Sequence, residues 1–256
     1  MKIVKTLITG AALFLILTLP AAAGGKKDAA DSISFAGSGG YPPFNFLVDD
    51  GSVDGFDVDV AREIAKRLGL EMNYVTTSWD GIIEGLRAGR YDGILGSMAV
   101  TEDRLKVVDF SDPYYYSGPQ LIVRKDSGLT DISRFDTSNT VALVTGTTFE
   151  KDAADAGLKV KLYEDDNQTL MELLNGRVDA VMTDRIVGLN AIAKMKNGGD
   201  LTLAGSVLRT ESMGIAFKKD SDLTKRVNAV LAEMRADGTL KAISEKWFPG
   251  QDITVE

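Results

Sequence analysis

Arg104 occupies a position that a helix start disfavours for a positive charge. Residues 101–104 read TEDR and resemble the first turn of a helix, where the helix dipole favours acids over bases. The guanidinium therefore needs an anion. The neighbouring Glu102 or Asp103 could supply it, and so could a bound carboxylate, which a guanidinium grips through two parallel hydrogen bonds.

A glycine turn provides a second candidate anion site. Residues 141–144 are a short apolar run that predicts a strand, and Gly146, Thr147 and Thr148 follow it. Thr147 and Glu150 have the spacing of a capping box, so a helix with free N–H groups is expected to begin here. Thr147 and Thr148 are thus candidate ligand residues, although the motif alone is more typical of an ordinary capped helix.

One sequence pattern occurs twice along the chain. The segments EGLRAGRYDGIL at residues 84–95 and MELLNGRVDAVM at residues 171–182 share Leu, Gly, Arg and Asp at equivalent positions. Each predicts a helix that stops at glycine and a following strand, so we expect two similar α/β lobes. Because ligands of α/β sheets bind beyond the carboxyl ends of strands, Ser97 and Asp184 are candidate site residues.

Two aromatic residues lie outside the apolar runs. Tyr41 precedes two prolines, and Trp79 lies in the polar stretch TTSWDG. A Trp is more often a core residue than a ligand contact. An aromatic ring beside Ser, Asp and Gly at a strand-to-helix turn nevertheless fits a pocket wall.

Neither a metal nor a cofactor is expected. The acids at positions 49–59 lack the spacing of a calcium loop, and a hairpin turn at Asp50 and Gly51 explains them better. The string GSGG at residues 37–40 does not match the dinucleotide fingerprint. The absence of Cys and His excludes thiol chemistry, Cys/His zinc sites and a Ser-His-Asp triad. A net charge of −8 also disfavours nucleic acid as a partner.

The N-terminus predicts export. Two lysines, an apolar run from Leu7 to Leu19 and the small residues before Gly24 form a signal peptide at residues 1–23, with cleavage expected after Ala23. The apolar run is too short for a membrane anchor, which needs about twenty residues. Residues 24–31 are expected to be a flexible lead-in.

Amphipathic patterns predict helices that pack against the sheets. The stripe over residues 57–68 predicts a helix with Asp57 as N-cap and Gly69 just beyond its end. Residues 221–246 predict a closing helix pair, broken at Asp237 and Gly238. The predicted fold class is α/β.

Eight sequence blocks, taken together and in order, resemble the periplasmic amino-acid-binding proteins of ABC importers. They are YPPFNF at Tyr41, GFDVDVAREIAKRLG at Gly55, SWDGIIEGLRAGRYDGIL at Ser78, TEDRLKVVDFSDPYY at Thr101, SGPQLIVRK at Ser117, VALVTGTTFEKDA at Val141, NGRVDAVMTD at Asn175 and GIAFKK at Gly214. The resemblance implies a monomeric type II periplasmic-binding-protein fold, with ligand buried by lobe closure. It predicts lobe 1 at residues 32–113 and 214–256, lobe 2 at residues 119–208, and hinges at residues 114–118 and 209–213.

The resemblance also implies how a free amino acid is held before delivery to a membrane permease. Arg104 would bind the α-carboxylate, helped by Thr148 and by groups around Ala99. Asp184 would receive the α-ammonium, with carbonyl help near Ser97. The rings of Tyr41 and Trp79 would flank the ligand side chain.

Two departures from the family pattern bear on the ligand. Ala99 stands where relatives usually have Ser or Thr, so one hydroxyl donor is missing. Ser38 stands where binders of cationic side chains carry an acid. The serine at position 38 counts against Lys or Arg and favours an uncharged polar or aromatic amino acid, although aromatic rings can also hold a guanidinium.

Two other functions have to be weighed. Periplasmic cyclohexadienyl dehydratases resemble these binders, but such an enzyme needs a general acid, and the position three residues past Asp184 is Val187. The sensory domain of a receptor is disfavoured because no membrane or signalling segment follows Glu256. A non-enzymatic carrier is the leading hypothesis.

Overall fold

A computed structural model describes residues 32–256 of the chain. The predicted signal peptide and lead-in lie outside the described residues. Among residues 32–256, no helix has the length and apolar character that crossing a membrane requires.

Fourteen strands are present in the described residues. They are β1 Ser32–Gly37, β2 Gly40–Tyr41, β3 Asn45–Leu47, β4 Val53–Asp54, β5 Glu71–Thr76, β6 Gly93–Ala99, β7 Val108–Phe110, β8 Tyr115–Ser117, β9 Pro119–Arg124, β10 Thr140–Val144, β11 Lys159–Tyr163, β12 Ala180–Asp184, β13 Leu201–Ala204 and β14 Glu211–Lys218.

Eight α-helices lie between and after these strands. They are α1 Phe56–Leu68, α2 Ile82–Arg87, α3 Glu102–Leu105, α4 Phe149–Asp155, α5 Asp166–Leu174, α6 Arg185–Lys194, α7 Asp222–Ala236 and α8 Thr239–Trp247. Two short 3₁₀ turns, Ile132–Arg134 and Gly198–Asp200, complete the described helical segments.

The first sheet has six strands in the order β5-β1-β6-β14-β7, with β8 also paired to β14. Strand β1 runs parallel to β5 and β6, whereas β14 is antiparallel to its partners. Every residue of β6 is buried, as expected for an interior strand covered on both faces. Its last residues, Ser97 to Ala99, reach the carboxyl end of the sheet.

The second sheet has five strands in the order β11-β10-β12-β9-β13. Strand β10 runs parallel to β11 and β12, and β9 is antiparallel to β12 and β13. All of β12 is buried, so Asp184 ends a core strand. The predicted α/β class is confirmed.

The repeated pattern forms equivalent structures in the two sheets. Gly89 and Gly176, which follow α2 and α5, both adopt positive φ angles, 77° and 68°. Asp92 accepts a hydrogen bond from Ser34 N and donates its own N–H to Ser34 O, both at 2.8 Å. Asp179 makes the same two bonds with Thr140, at 2.7 and 2.9 Å. Each aspartate therefore binds the start of the neighbouring parallel strand in its own sheet, β1 or β10.

Two predicted helix caps are wrong. Helix α1 begins at Phe56 after Gly55, and Asp57 lies buried in the first turn. Its carboxylate accepts from Asn45 Nδ2, Ser97 Oγ and Tyr114 OH at 2.7–2.9 Å. These partners come from distant segments, so Asp57 has a tertiary role that a local capping pattern does not reveal.

The second wrong cap concerns α4. The N-cap of this helix is Thr148, not Thr147, and it makes no side-chain capping bond. The predicted capping box is absent because the Thr147 hydroxyl donates to Val144 O at 2.8 Å. Glu150 instead accepts the N–H of Gly146 at 2.6 Å.

Other local predictions are confirmed. Gly69 ends α1 in the left-handed conformation, with φ of 70°. Strands β3 and β4 form the hairpin predicted at Asp50 and Gly51. The closing helix pair divides between α7 and α8 at Asp237 and Gly238.

The chain passes between the two sheets twice. It leaves the first sheet after β8 and enters the second at β9, with Gly118 between them. It returns between β13 and β14. The hinge segments 114–118 and 209–213 and the two lobe boundaries stay predictions.

Candidate ligand-binding site

One pocket is lined by residues from both sheets and their connecting segments. Seven of the eight predicted site residues line it: Tyr41, Trp79, Ser97, Ala99, Arg104, Thr147 and Thr148. The eighth, Asp184, is 1% exposed and does not form part of the wall.

Arg104 turns its guanidinium towards two backbone carbonyl groups. Nη1 donates to Ala99 O at 2.9 Å, and Nη2 donates to Gly146 O at 3.1 Å. The guanidinium carbon also lies 5.8 Å from the centre of the Trp79 ring. Burial lowers the pKa of Arg104, and the carboxylate of Glu211 opposes that shift.

The sequence offered Glu102 or Asp103 as partners for this guanidinium. Asp103 instead pairs with Lys106 at 2.6 Å. Within residues 32–256, Arg104 forms no ion pair of 4 Å or less. Thr101 caps α3 by accepting the N–H of Arg104 at 3.2 Å. The helix start is thus as predicted.

Two aromatic rings line the pocket, as predicted. Trp79 donates from Nε1 to Gly146 O at 3.3 Å, the same carbonyl oxygen that Arg104 uses. Tyr41 stacks on Phe44 with ring centres 5.4 Å apart. Both rings are partly exposed, so each presents a face to the pocket.

Ser97 and Ala99 contribute backbone groups at the end of β6. The Ser97 hydroxyl donates to Asp57 at 2.9 Å, so it is already used. Ser97 also has a φ of 61°, a strained value for a residue with a side chain. Its N–H donates to Tyr114 OH at 3.0 Å. The core around Asp57 therefore holds this part of the pocket wall in an unusual backbone conformation.

Asp184 lies behind the wall, at the end of β12. Its Oδ1 accepts the N–H of Ile186 at 2.7 Å, and its Oδ2 has no hydrogen-bond partner among the described residues. Burial raises the pKa of Asp184 to about 7, against the opposing effects of the Ser117 hydroxyl and the Ile186 N–H. A buried carboxylate without a cation is costly, so a ligand ammonium would stabilise its charged form.

The Thr148 hydroxyl has a partner that the sequence did not predict. It donates to Glu211 Oε1 at 2.7 Å. Glu211 is 5% exposed, lines the pocket and accepts a second bond from Arg209 Nη1 at 2.7 Å. In this structure Thr148 is therefore engaged with a protein carboxylate at the place proposed for the ligand carboxylate.

Sequence reasoning missed several wall residues. They are Phe149, Glu164, Asp165, Asp166, Glu211 and Met213. Two signals could have found the acids among them. Residues 164–166 follow the end of β11, where the rule on strand ends applies, and Glu211 lies within the predicted crossing segment 209–213.

The site combines an unpaired guanidinium, a buried carboxylate and two aromatic rings, which suits a small ligand with both charges. The family model of bacterial extracellular solute-binding proteins, family 3, matches residues 33–250. The chain therefore belongs to this family.

Individual relatives carry names consistent with this membership. The chain is 38% identical over 220 residues to the L-cystine-binding protein TcyJ of Escherichia coli K12, covering 84% of this chain and 82% of that protein. It is 29% identical over 254 residues to the L-arginine-binding protein of Pseudomonas aeruginosa, covering 95% and 96%.

Solved structures show the same architecture. A mutant of ArgBP from T. maritima superposes with a TM-score of 0.80 at 38% identity, covering 86% of this chain and 96% of that one. The ancestral amino acid-binding protein AncCDT-1, a precursor of cyclohexadienyl dehydratase, gives a TM-score of 0.80 at 32% identity, covering 86% and 96%. The chain has the type II periplasmic-binding-protein fold.

Proposed function

We propose that this protein captures a free amino acid in the periplasm and delivers it to the permease of an ABC importer. The main supporting observation is that two charged side chains lack an oppositely charged partner among residues 32–256. Arg104 lines the pocket, and its guanidinium donates to two backbone carbonyl groups and to no side chain among residues 32–256. Asp184 is buried, and one of its carboxylate oxygens has no hydrogen-bond partner within the same residues. A zwitterion with its carboxylate at Arg104 and its ammonium at Asp184 would satisfy both.

The proposed mechanism is closure of two lobes around the ligand. Lobe 1 comprises residues 32–113 and 214–256, lobe 2 comprises residues 119–208, and the hinges are residues 114–118 and 209–213. Support comes from the two passages of the chain between the sheets, which fall within or beside these hinges. A ligand that contacts both lobes binds the closed form better and shifts the population towards it. The permease would recognise that closed form.

The residue roles in this proposal follow the charge pattern. Arg104 binds the α-carboxylate, with Thr147, Thr148 and the backbone near Ala99 bordering the same space. For Thr148 this requires its hydroxyl to exchange Glu211 for the ligand. Ser97 lines the pocket near the ammonium. Tyr41 and Trp79 cover the ligand side chain.

We further propose that the protein is a monomeric carrier and not an enzyme. The relatives above are named as binding proteins. Position 187, where a dehydratase-like acid was sought, holds a valine that is 1% exposed. Cleavage after Ala23 and residence in the periplasm complete the proposal.

The test uses the protein purified after export, then unfolded and refolded to remove any bound ligand. Thermal unfolding is measured with each common amino acid and with related diamino and bis-amino acids. A tight ligand raises the unfolding temperature by mass action. We expect at least one amino acid to do so, and Arg104→Ala to abolish the rise. No response to any amino acid, or conversion of prephenate or arogenate to a dehydrated product, would overturn the proposal.

A further inference from the structure

The charges of the pocket do not match those of a simple zwitterion. The inference drawn from this mismatch rests on the proposed function. One guanidinium, that of Arg104, faces the cleft without an ion pair. Two buried carboxylates, Asp166 and Asp184, also lack any ion pair within residues 32–256. A ligand with one carboxylate and one ammonium would leave one of these acids without a counter-charge.

Other acids near the pocket already have partners. Glu211 is bound by Arg209 and Thr148, each at 2.7 Å. Arg209 also donates to both oxygens of Asp152, at 2.9 and 2.8 Å. Asp165 caps α5 by accepting from Gln168 N at 2.8 Å. These groups form a satisfied network and do not require a ligand.

Asp166 differs from them. It is the first residue of α5, is 6% exposed and lines the pocket. In the part of the chain that the structure describes, no hydrogen bond of normal geometry reaches its carboxylate. The pKa of Asp166 is raised to about 7, chiefly by burial; the charges of Asp165 and Asp184 act in the same direction, and the Thr183 hydroxyl opposes the shift. Removal of a carboxylate from water without a counter-charge is unfavourable.

Three buried side-chain oxygens that are not part of the pocket wall also lack hydrogen-bond partners among residues 32–256. Thr183, next to Asp184 on β12, is 0% exposed and its Oγ1 has no hydrogen-bond partner. Tyr115 OH and Asp184 Oδ2 are also buried without partners among the described residues.

We propose that Asp166 receives a second protonated nitrogen of the ligand, so that the preferred ligand is an α-amino acid with two cationic nitrogens. Asp184 holds the α-ammonium and Arg104 holds one carboxylate. The second nitrogen has two chemical sources. It can be the ammonium or guanidinium of a cationic side chain, or the second α-amino group of a bis-amino acid.

Under this proposal Asp166 recognises the ligand side chain, whereas the sequence-based expectation rested on position 38. That expectation of an uncharged polar or aromatic ligand came largely from Ser38, which lacks an acid. The structure brings an acid to the same pocket from α5, because Asp166 and Ser38 both line it. A carboxylate from α5 can therefore meet a side-chain cation in this pocket.

The experiment compares matched ligands by isothermal titration calorimetry on the refolded, ligand-free protein. Arginine is paired with citrulline, and lysine with norleucine, since each pair differs mainly in the side-chain cation. Cystine is paired with S-methylcysteine to test the bis-amino source. We expect at least one dicationic ligand to bind about 10-fold or more tighter than its monocationic partner, a difference of about 1.4 kcal/mol.

The variant Asp166→Asn tests the assigned residue. It should remove most of that preference, so that the two ligands of a pair bind with affinities within about 3-fold of each other, because the second charge loses its counter-ion. Asp126→Asn, whose side chain is 85% exposed, is the matched control and should keep the preference. A thermal melt without ligand checks that each variant folds, and Asp166→Glu provides a charged alternative if Asp166→Asn does not.

The outcomes separate this inference from the proposed function. Equal binding within all three ligand pairs, or a preference that survives Asp166→Asn, would overturn the role of Asp166. The carrier function would still be supported in that case if a monocationic amino acid binds tightly to the wild-type protein and this binding is lost in Arg104→Ala. If no amino acid binds the folded protein, both proposals fail.

Discussion

The guanidinium of Arg104 donates a hydrogen bond to the carbonyl oxygen of Gly146, at 3.1 Å. Arg104 belongs to α3 beside the first sheet, and Gly146 follows β10 of the second. Trp79 donates to the same oxygen at 3.3 Å. The carbonyl oxygen of Gly146, which follows a strand of the second sheet, thus accepts hydrogen bonds from two side chains beside the first sheet. Both of these side chains are proposed to contact the ligand.

Arg104→Ala should weaken amino-acid binding by at least about 100-fold, because a buried ligand carboxylate would lose its counter-ion at a cost of about 3–5 kcal/mol. Arg104→Lys should retain part of the affinity, since it keeps the charge without the planar pair of donors. Titration calorimetry with the best ligand measures both. Arg87→Ala, on the exposed side of α2, is the control, and near-normal binding by Arg104→Ala would contradict the assignment.

Trp79 should report ligand binding through its fluorescence. The chain has two tryptophans: Trp79 lines the pocket, whereas Trp247 packs on Phe46 and donates to Asp59 at 2.7 Å. We expect Trp247→Phe to keep a ligand-dependent change in emission and Trp79→Phe to lose it, with titration calorimetry confirming that both still bind. If the ligand-dependent change is lost in Trp247→Phe and kept in Trp79→Phe, Trp79 does not face the ligand.

Affinity should fall as the pH drops below about 7. The pKa of Asp184 is raised to about 7 by burial, and the ammonium of the ligand requires the charged carboxylate. Below that pH the group must release a proton before it can pair, which costs up to about tenfold in affinity per pH unit. Titrations of a neutral-side-chain amino acid at pH 5 to 8 measure this slope, and Asp184→Asn should flatten it. An affinity that rises towards pH 5 would argue against the pairing.

Asp57 should make the ligand-free protein less stable as the pH rises from about 4 to 6. Burial raises the pKa of Asp57 from 3.8 to about 6, so within this window the folded state binds more protons than the unfolded state. The linkage slope is then negative, up to about 1.4 kcal/mol per pH unit. Urea unfolding at pH 4 to 8 should show Asp57→Asn gaining stability relative to wild type over the window. If the unfolding free energies of Asp57→Asn and wild type differ by the same amount at every pH, the raised pKa of Asp57 is excluded. Asp126→Asn serves as the control at an exposed position.

Glu211→Gln should destabilise the fold and disturb the network that joins β14 to α4. The substitution removes the charge that Arg209 meets at 2.7 Å and weakens the bond from Thr148. Loss of one such charged hydrogen bond costs about 1–3 kcal/mol. Chemical denaturation measures the loss, and Asp152→Asn, which removes the other carboxylate bound by Arg209, should cause a loss of similar size. No effect from either would mean that the network contributes little to stability.

Much of the fold was predictable because its signals are local or repeated. The duplicated pattern indicated two similar α/β units, and Asp92 and Asp179 now show why its aspartate recurs. The helix end at Gly69 and the hairpin at Gly51 follow from positive φ angles of 70° and 83°, which glycine adopts readily. The cap predicted at Asp57 is wrong because tertiary partners bind its carboxylate, and the cap predicted at Thr147 is wrong because its hydroxyl binds a different local group, Val144 O.

The sequence by itself determined the residue types, the strand and helix periodicity and the order of motifs that defines the family. Those features depend on neighbours within a few residues. Only the tertiary structure decided which charges remain unpaired, because that depends on segments far apart in the chain. Glu211 accepts a hydrogen bond from Thr148 and Arg209 binds Asp152, while Asp166 and Asp184 are buried with no cation bound to them among residues 32–256. Chain folding brings acids from α5, β12 and β14 around one pocket, and their separate environments then decide which of them a ligand must satisfy.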